Sequence, residues 1–143
     1  MLKRTHAVWL GLALVGAIGC DSTGSPSDPG GTPRLVVEGQ MLPDEVLSEP
    51  VPLGDGDTVR VRVDDFVVVE GEAPAFDLIL GVGIGRVNST SGECNSTSSR
   101  LLSIGGEWVI HLESDNYCVS VFDPGVLLAE SVATYRVLIF DAF

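Results

Sequence analysis

Four aspartates in two tight pairs, a single histidine beyond the first twenty residues and three cysteines are the groups in this 143-residue chain with chemistry to offer. The pairs are Asp55 and Asp57 in "GDGD" and Asp64 and Asp65 in "VDD". Calcium takes roughly six to eight oxygen ligands, some of which carboxylates on a tight turn can supply. These four residues are therefore the candidate calcium ligands, with solvated turn carboxylates as the competing reading. The spacing departs from an EF-hand loop, which needs a Glu at its end and a helix on each side. His111 stands in "EWVIHLES", phased opposite Trp108, Ile110 and Leu112. A Ser-His-Asp relay needs an imidazole held between a nucleophile and an orienting carboxylate, and no G-x-S-x-G elbow occurs. His111 is therefore expected on the second face of a strand, and no enzyme is expected. A small hydrolase working through two carboxylates is the alternative, and it requires a cleft and a raised pKa. "GVGIGR" at 81–86 carries Gly81, Gly83 and Gly85 but lacks the offset third glycine and the helix that a dinucleotide loop requires. Its glycines are expected to relieve crowding or to form a bulge.

The third cysteine belongs to a different context. The chain begins with Lys3 and Arg4 in a cationic head and runs uncharged from Ala7 to Ile18. That run is shorter than the roughly 20 residues of a spanning helix, so it reads as a removable export signal. It ends in Ala17-Ile18-Gly19-Cys20, which resembles the lipobox of bacterial lipoproteins, with Ala17 where Leu is usual. The resemblance implies cleavage before Cys20, a diacylglycerol on its thiol and acylation of the new N-terminus. Two or three acyl chains anchor stably where one does not. An ordinary signal cut after Gly19 is the alternative. Asp21 resembles the signal that retains enteric lipoproteins in the inner membrane, a rule other bacterial groups do not follow. The lipoprotein reading leaves Cys94 and Cys118, which in an oxidising compartment are expected to pair. The loop closed holds about 25 residues, worth roughly 3 to 4 kcal/mol by chain entropy. Two free thiols are the alternative. In the same reading the sequons Asn88-Ser89-Thr90 and Asn95-Ser96-Thr97 go unread, and "NSTSGECNSTSS" is a polar loop, 88–99, pinned by Cys94 and fit for partner contacts.

Composition sets the layout. Residues 1–19 form the signal, 20–33 the lipidated cysteine and a Gly-, Ser-, Pro- and Asp-rich tether, and 34–143 a single folded domain large enough for a core. Beyond residue 19 there is no lysine: six arginines face 20 Asp and Glu, leaving −14. Such a chain repels nucleic acid and anionic lipid surfaces. Its acidity serves solubility, or else a cationic partner or metal ion.

The elements that must position these groups are strands. "TVRVRV" at 58–63 alternates Val59, Val61 and Val63 against Thr58, Arg60 and Arg62, the period of a half-buried strand. "EWVIHLES" at 107–114, "NYCVSVFD" at 116–123 and "TYRVLIF" at 134–140 alternate likewise, and "FDLILGVG" at 76–83 is apolar on both faces as in a central strand. Shorter strands are expected at "RLVVEG", "DFVVVEG" at 65–71 and "SRLLSI" near 100. The phase of Trp108 makes it core rather than a platform for sugar. Short strands separated by Gly, Pro and Asp turns, with no sustained helical period, give an all-β antiparallel sandwich or jelly roll, preceded by a signal helix and a disordered tether.

The last third resembles the closing strands of the bacterial pre-peptidase C-terminal domain, a small jelly-roll sandwich. Tyr117, Val119 and Val121 match its aromatic-rich strand, Asp123-Pro124-Gly125 its turn, and Tyr135, Val137 and Ile139 its last strand; "DTVRVRV" and "APAFDLILGVG" fit earlier ones. Asn116 stands where the family has Gly, and Cys118 where a tyrosine is common. The resemblance implies an accessory module of the cell envelope, facing periplasm or exterior, with no catalysis of its own. With the lipobox resemblance, the expected partners are a membrane through Cys20 and an envelope protein or polymer through the domain. A calcium-dependent surface adhesion domain is the alternative. No other cofactor is expected.

Overall fold

The computed structural model describes residues 31–54, 56–113 and 116–142. Cys20, the signal, most of the tether and Asp55 lie outside them. The described chain contains β1 (Leu35–Met41), β2 (Val46–Pro50), β3 (Thr58–Glu70), β4 (Ile79–Val87), β5 (Cys94–Ser103), β6 (Glu107–His111), β7 (Tyr117–Phe122) and β8 (Val132–Asp141). One sheet has the order β1-β8-β3-β6 and the other β2-β7-β4-β5, all neighbours antiparallel. Within these orders β1 pairs with β8, β2 with β7, β3 with β6 and β4 with β5. That is a long antiparallel ribbon rolled over itself, the jelly-roll arrangement. The all-β sandwich expected from the alternation is the architecture found.

Between the sheets, Val59, Val61, Val63 and Phe66 of β3 and Tyr135, Val137 and Ile139 of β8 meet Leu80, Val82 and Ile84 of β4 and Val119 and Val121 of β7, all buried. Each such side chain contributes roughly 1.5–3 kcal/mol by leaving water. The inward residues of β3 switch from odd to even numbers because the register against β8 slips between Val63 and Asp65. Asp64 and Asp65 occupy that bulge. The two strands expected at 58–63 and 65–71 are therefore one, since an extra residue lets the alternation change phase without ending the strand.

Three glycines on the outer face of β4 explain "GVGIGR". Gly81, Gly83 and Gly85 lie opposite Phe122, Ser120 and Cys118 of β7. A Cβ at Gly81 would fall inside the Phe122 ring, and one at Gly83 against Ser120 Oγ. The missing side chains leave a channel that β7 bridges to β5. Ser120 Oγ and Ser96 Oγ are hydrogen-bonded at 2.7 Å, and Cys118 is disulfide-bonded to Cys94. The expected disulfide is present and straps β5 to β7 across β4.

Two expectations about strand limits change. The segment 88–99 is a loop only as far as Glu93; from Cys94 onward it is β5, because pairing with β4 satisfies its backbone and Ser and Thr tolerate an exposed strand. β2 carries no alternation strong enough to read, and its Val46 and Pro50 are exposed. Asn116, where the resembling family has Gly, adopts φ 63°, a left-handed conformation that Asn tolerates better than most residues.

Candidate functional site

Of the expected acidic ligands, Asp57, Asp64 and Asp65 lie among the described residues. Asp57 Oδ2 accepts the Gly54 amide at 3.0 Å and an Arg34 Nη1 hydrogen bond at 2.9 Å. Its carboxyl is held below its ordinary value first by the Gly54 amide, against partial desolvation, and then by Arg34. Arg34 is raised in turn, chiefly by its hydrogen bond to Asp141. Asp64 lies 3.5 Å from Arg62 Nη2 and 3.9 Å from Arg136 Nε, and Asp65 pairs with Arg136 across the strands. Seven residues of extended chain separate Asp57 from Asp64, roughly 23 Å. Among the described residues no three His, Cys, Asp or Glu groups converge as a metal site.

The surface with an unfilled chemistry lies on the side where β5 and β6, edges of different sheets, face one another. The chain crosses from one to the other through Ile104–Gly106, and the sandwich stays open there. A hollow of about 590 Å³ is lined by Ser98, Ser99, Arg100, Leu101, Trp108 and Ile110. A second, of about 350 Å³, shares Ser98 and Ile110 and extends to Arg86, Thr97, His111 and Glu113, with Ile84, Leu112 and Tyr117 behind them. Together they form a groove along the edge.

Strand phase explains its polarity. On β4, Val82 and Ile84 point inward, so Arg86 is the next position on the inward face; on β5, Leu102 is inward, and Arg100 and Ser98 follow in the same phase. Two arginines and a serine thus occupy positions that the sandwich elsewhere fills with Val, Ile or Leu. The Arg100 guanidinium lies 5.9 Å from the centre of the Trp108 ring, within cation–π range. Trp108 is 8% exposed, a core residue with one face turned to this cation. Among the described residues Arg86 and Arg100 have no carboxylate partner within ion-pair distance.

Ser98 and His111 share the lining, and the His111 Nδ1 is 2.9 Å from Thr58 Oγ1, its neighbour across the β3–β6 ladder. That contact holds His111 on the exposed face of the strand, as its phase suggests. The groove offers two cations, a row of hydroxyl groups and a short apolar floor, a set suited to holding a ligand.

The segment 88–99, expected to face a partner, supplies Thr97, Ser98 and Ser99 to this lining. Arg86 and Arg100 went unremarked in the sequence. The available signal was an arginine in the inward phase of an otherwise apolar strand, following Val82 and Ile84.

No family model matches the chain, and no curated protein matches it. Among solved structures, the chain is similar to PliG of Aeromonas hydrophila, a periplasmic lysozyme inhibitor of g-type lysozyme. The identity is 14%, over 73% of this chain and 84% of that one, with a TM-score of 0.45. A likeness of that size carries neither fold nor function from one chain to the other.

Proposed function

We propose that this chain is a non-catalytic accessory module of the cell envelope, anchored through a lipidated Cys20 and presenting the β5–β6 groove to an envelope partner. The observation that carries the binding role is the pair of arginines, Arg86 and Arg100, turned into the open side of a strongly acidic sandwich without carboxylate partners among the described residues. Both side chains are exposed at the open edge, in the phase that the same strands elsewhere fill with apolar residues, and a break in the local pattern marks a candidate working site. The anchor rests on the lipobox resemblance. The Gly-, Ser-, Pro- and Asp-rich composition of Asp21 to Pro33 supports a tether between that anchor and the domain.

The test is photo-cross-linking in living bacteria with the full chain, carrying a photoreactive side chain at Ser98 in the groove or at exposed Val67 on β3. A discrete adduct from position 98 and none from position 67 is expected, with the Cys20→Ala variant released from the membrane fraction. Equal adducts from both positions, or none from 98, would overturn the groove's role. A Cys20→Ala chain that stays membrane-bound would overturn the anchor.

A further inference from the structure

The groove's geometry also selects a class of ligand. We infer that its occupant is an extended acidic segment of a partner protein, added as a strand to the free edge of β5 with two carboxylates four residues apart reaching Arg100 and Arg86. This rests on the groove being the binding surface.

Three observations lead to it. First, β5 is the outermost strand of its sheet, and among the described residues 94–102 make no backbone hydrogen bond outside the ladder to β4. Exposed edges are normally blunted by Lys, Pro or several charges. This one is ten residues long, carries Arg100 as its single charge, and is exposed over most of its length. Such an edge accepts a further strand, its main-chain groups giving affinity and alternate side chains giving specificity.

Second, the cations have a spacing that an extended chain reads. Arg100 pairs with Val82, and Arg86 lies four residues farther along β4. Four residues of strand span about 13 Å; Arg86 stands one strand in from the edge, so a carboxylate at position i of an added strand reaches Arg100 directly and one at i+4 meets the Arg86 side chain extended past β5. The i+2 side chain points inward between them, over Ile110. Pairing is regular along Ser98–Ser103, and the register slips between Ser98 and Ser96, before the position opposite Arg86.

Third, charge and stacking narrow the choice. The chain beyond residue 19 carries −14, so an acidic segment is repelled by most of this surface and attracted where two arginines face one carboxylate, Glu113. A sugar ring stacking on Trp108 would meet Arg100 already over that face. The hydroxyl groups of Thr97, Ser98 and Ser99 suit a backbone or a carboxylate equally well.

The experiment titrates the full chain in detergent micelles with the peptide Thr-Glu-Thr-Val-Thr-Glu-Thr. With residues 1–19 removed as proposed, Trp108 is the sole indole, so its emission reports on the groove. A saturable change is expected. The affinity falls about tenfold or more when both Glu are replaced by Gln, and similarly with Arg100→Gln or Arg86→Gln in chains of unchanged melting temperature. N-methylation of alternate peptide amides abolishes binding, because strand pairing needs those donors. Equal binding of the Gln peptide or of the N-methylated peptide overturns the inference. So does binding of an acidic oligogalacturonate in place of the peptide, which would make the partner a glycan. If no peptide binds while the position-98 adduct persists in cells, the strand-addition inference fails and the binding-module reading stands.

Discussion

The arginines of this molecule fall into two groups with opposite fates. On the β1-β8-β3-β6 sheet and its margin, every arginine has a carboxylate: Arg34 reaches Asp57 and Asp141 at 2.9 and 3.0 Å, Arg60 lies 3.8 Å from Glu107, Arg62 3.5 Å from Asp64, and Arg136 3.6 Å from Glu38. Arg60 and Arg62 also stand 4.9 and 5.2 Å from the centre of the Phe140 ring, spending their aliphatic stems on the sheet's outer face. In the β5–β6 groove, Arg86 and Arg100 have no carboxylate partner among the described residues. The first group faces carboxylates of its own sheet and margin, though the buried Arg60 Nε makes no hydrogen bond, whereas the second is exposed to a ligand.

The groove wall depends on its covalent strap, and breaking that strap has the largest expected effect. Replacing Cys94 and Cys118 by Ala, or reducing them, should cost about 3 to 4 kcal/mol of stability for a loop of this length, read as a fall in melting temperature. The glycine channel comes next. In Gly85→Ala the new Cβ would collide with the Asn95 carbonyl, so β4 and β5 must part, at a cost of about 1 to 3 kcal/mol in denaturant unfolding. Arg60→Ala should cost about 1 kcal/mol, mostly through the lost contact with Phe140. Arg86→Ala and Arg100→Ala should each stay within about 0.5 kcal/mol of the parent. A larger loss at either would erase the distinction between the two groups.

The smallest effect sharpens the comparison through pH. Asp57 is held below its ordinary value of 3.8, by the Gly54 amide first and by Arg34. A carboxyl with a depressed folded pKa contributes stability above its unfolded value and loses it as pH falls through the folded one. The parent should therefore lose stability on acidification from about pH 4 downward, and Asp57→Asn should flatten that limb, as followed by melting temperature against pH.

Much of the fold was legible because alternation states which face is buried. Val59, Val61 and Val63, or Tyr135, Val137 and Ile139, can be inward only together, and the rolled topology follows from pairing such strands. The bulge at Asp64 and Asp65 was hidden, since two adjacent polar residues look the same whether they end a strand or shift its phase. β5 was hidden for a related reason: Asn95 to Ser99 have the composition of a loop, and only the β4 partner and the Cys94 strap make them a strand. Gly81, Gly83 and Gly85 showed that crowding was being relieved but not by what, because Phe122, Ser120 and Cys118 lie more than thirty residues away. The groove arginines depended on knowing that β5 and β6 are edges of different sheets, which no local pattern states.

The account stands or falls on Arg86 and Arg100 serving a partner and not the sandwich. The direct test is the yield of the position-98 photo-adduct in cells for the full chain carrying Arg86→Gln and Arg100→Gln together, with melting temperature measured on the same chain. The yield is expected to fall about tenfold or more, as for loss of charged partners at an interface, with melting unchanged. An undiminished yield, or a yield that falls only because the chain no longer melts like the parent, would contradict it.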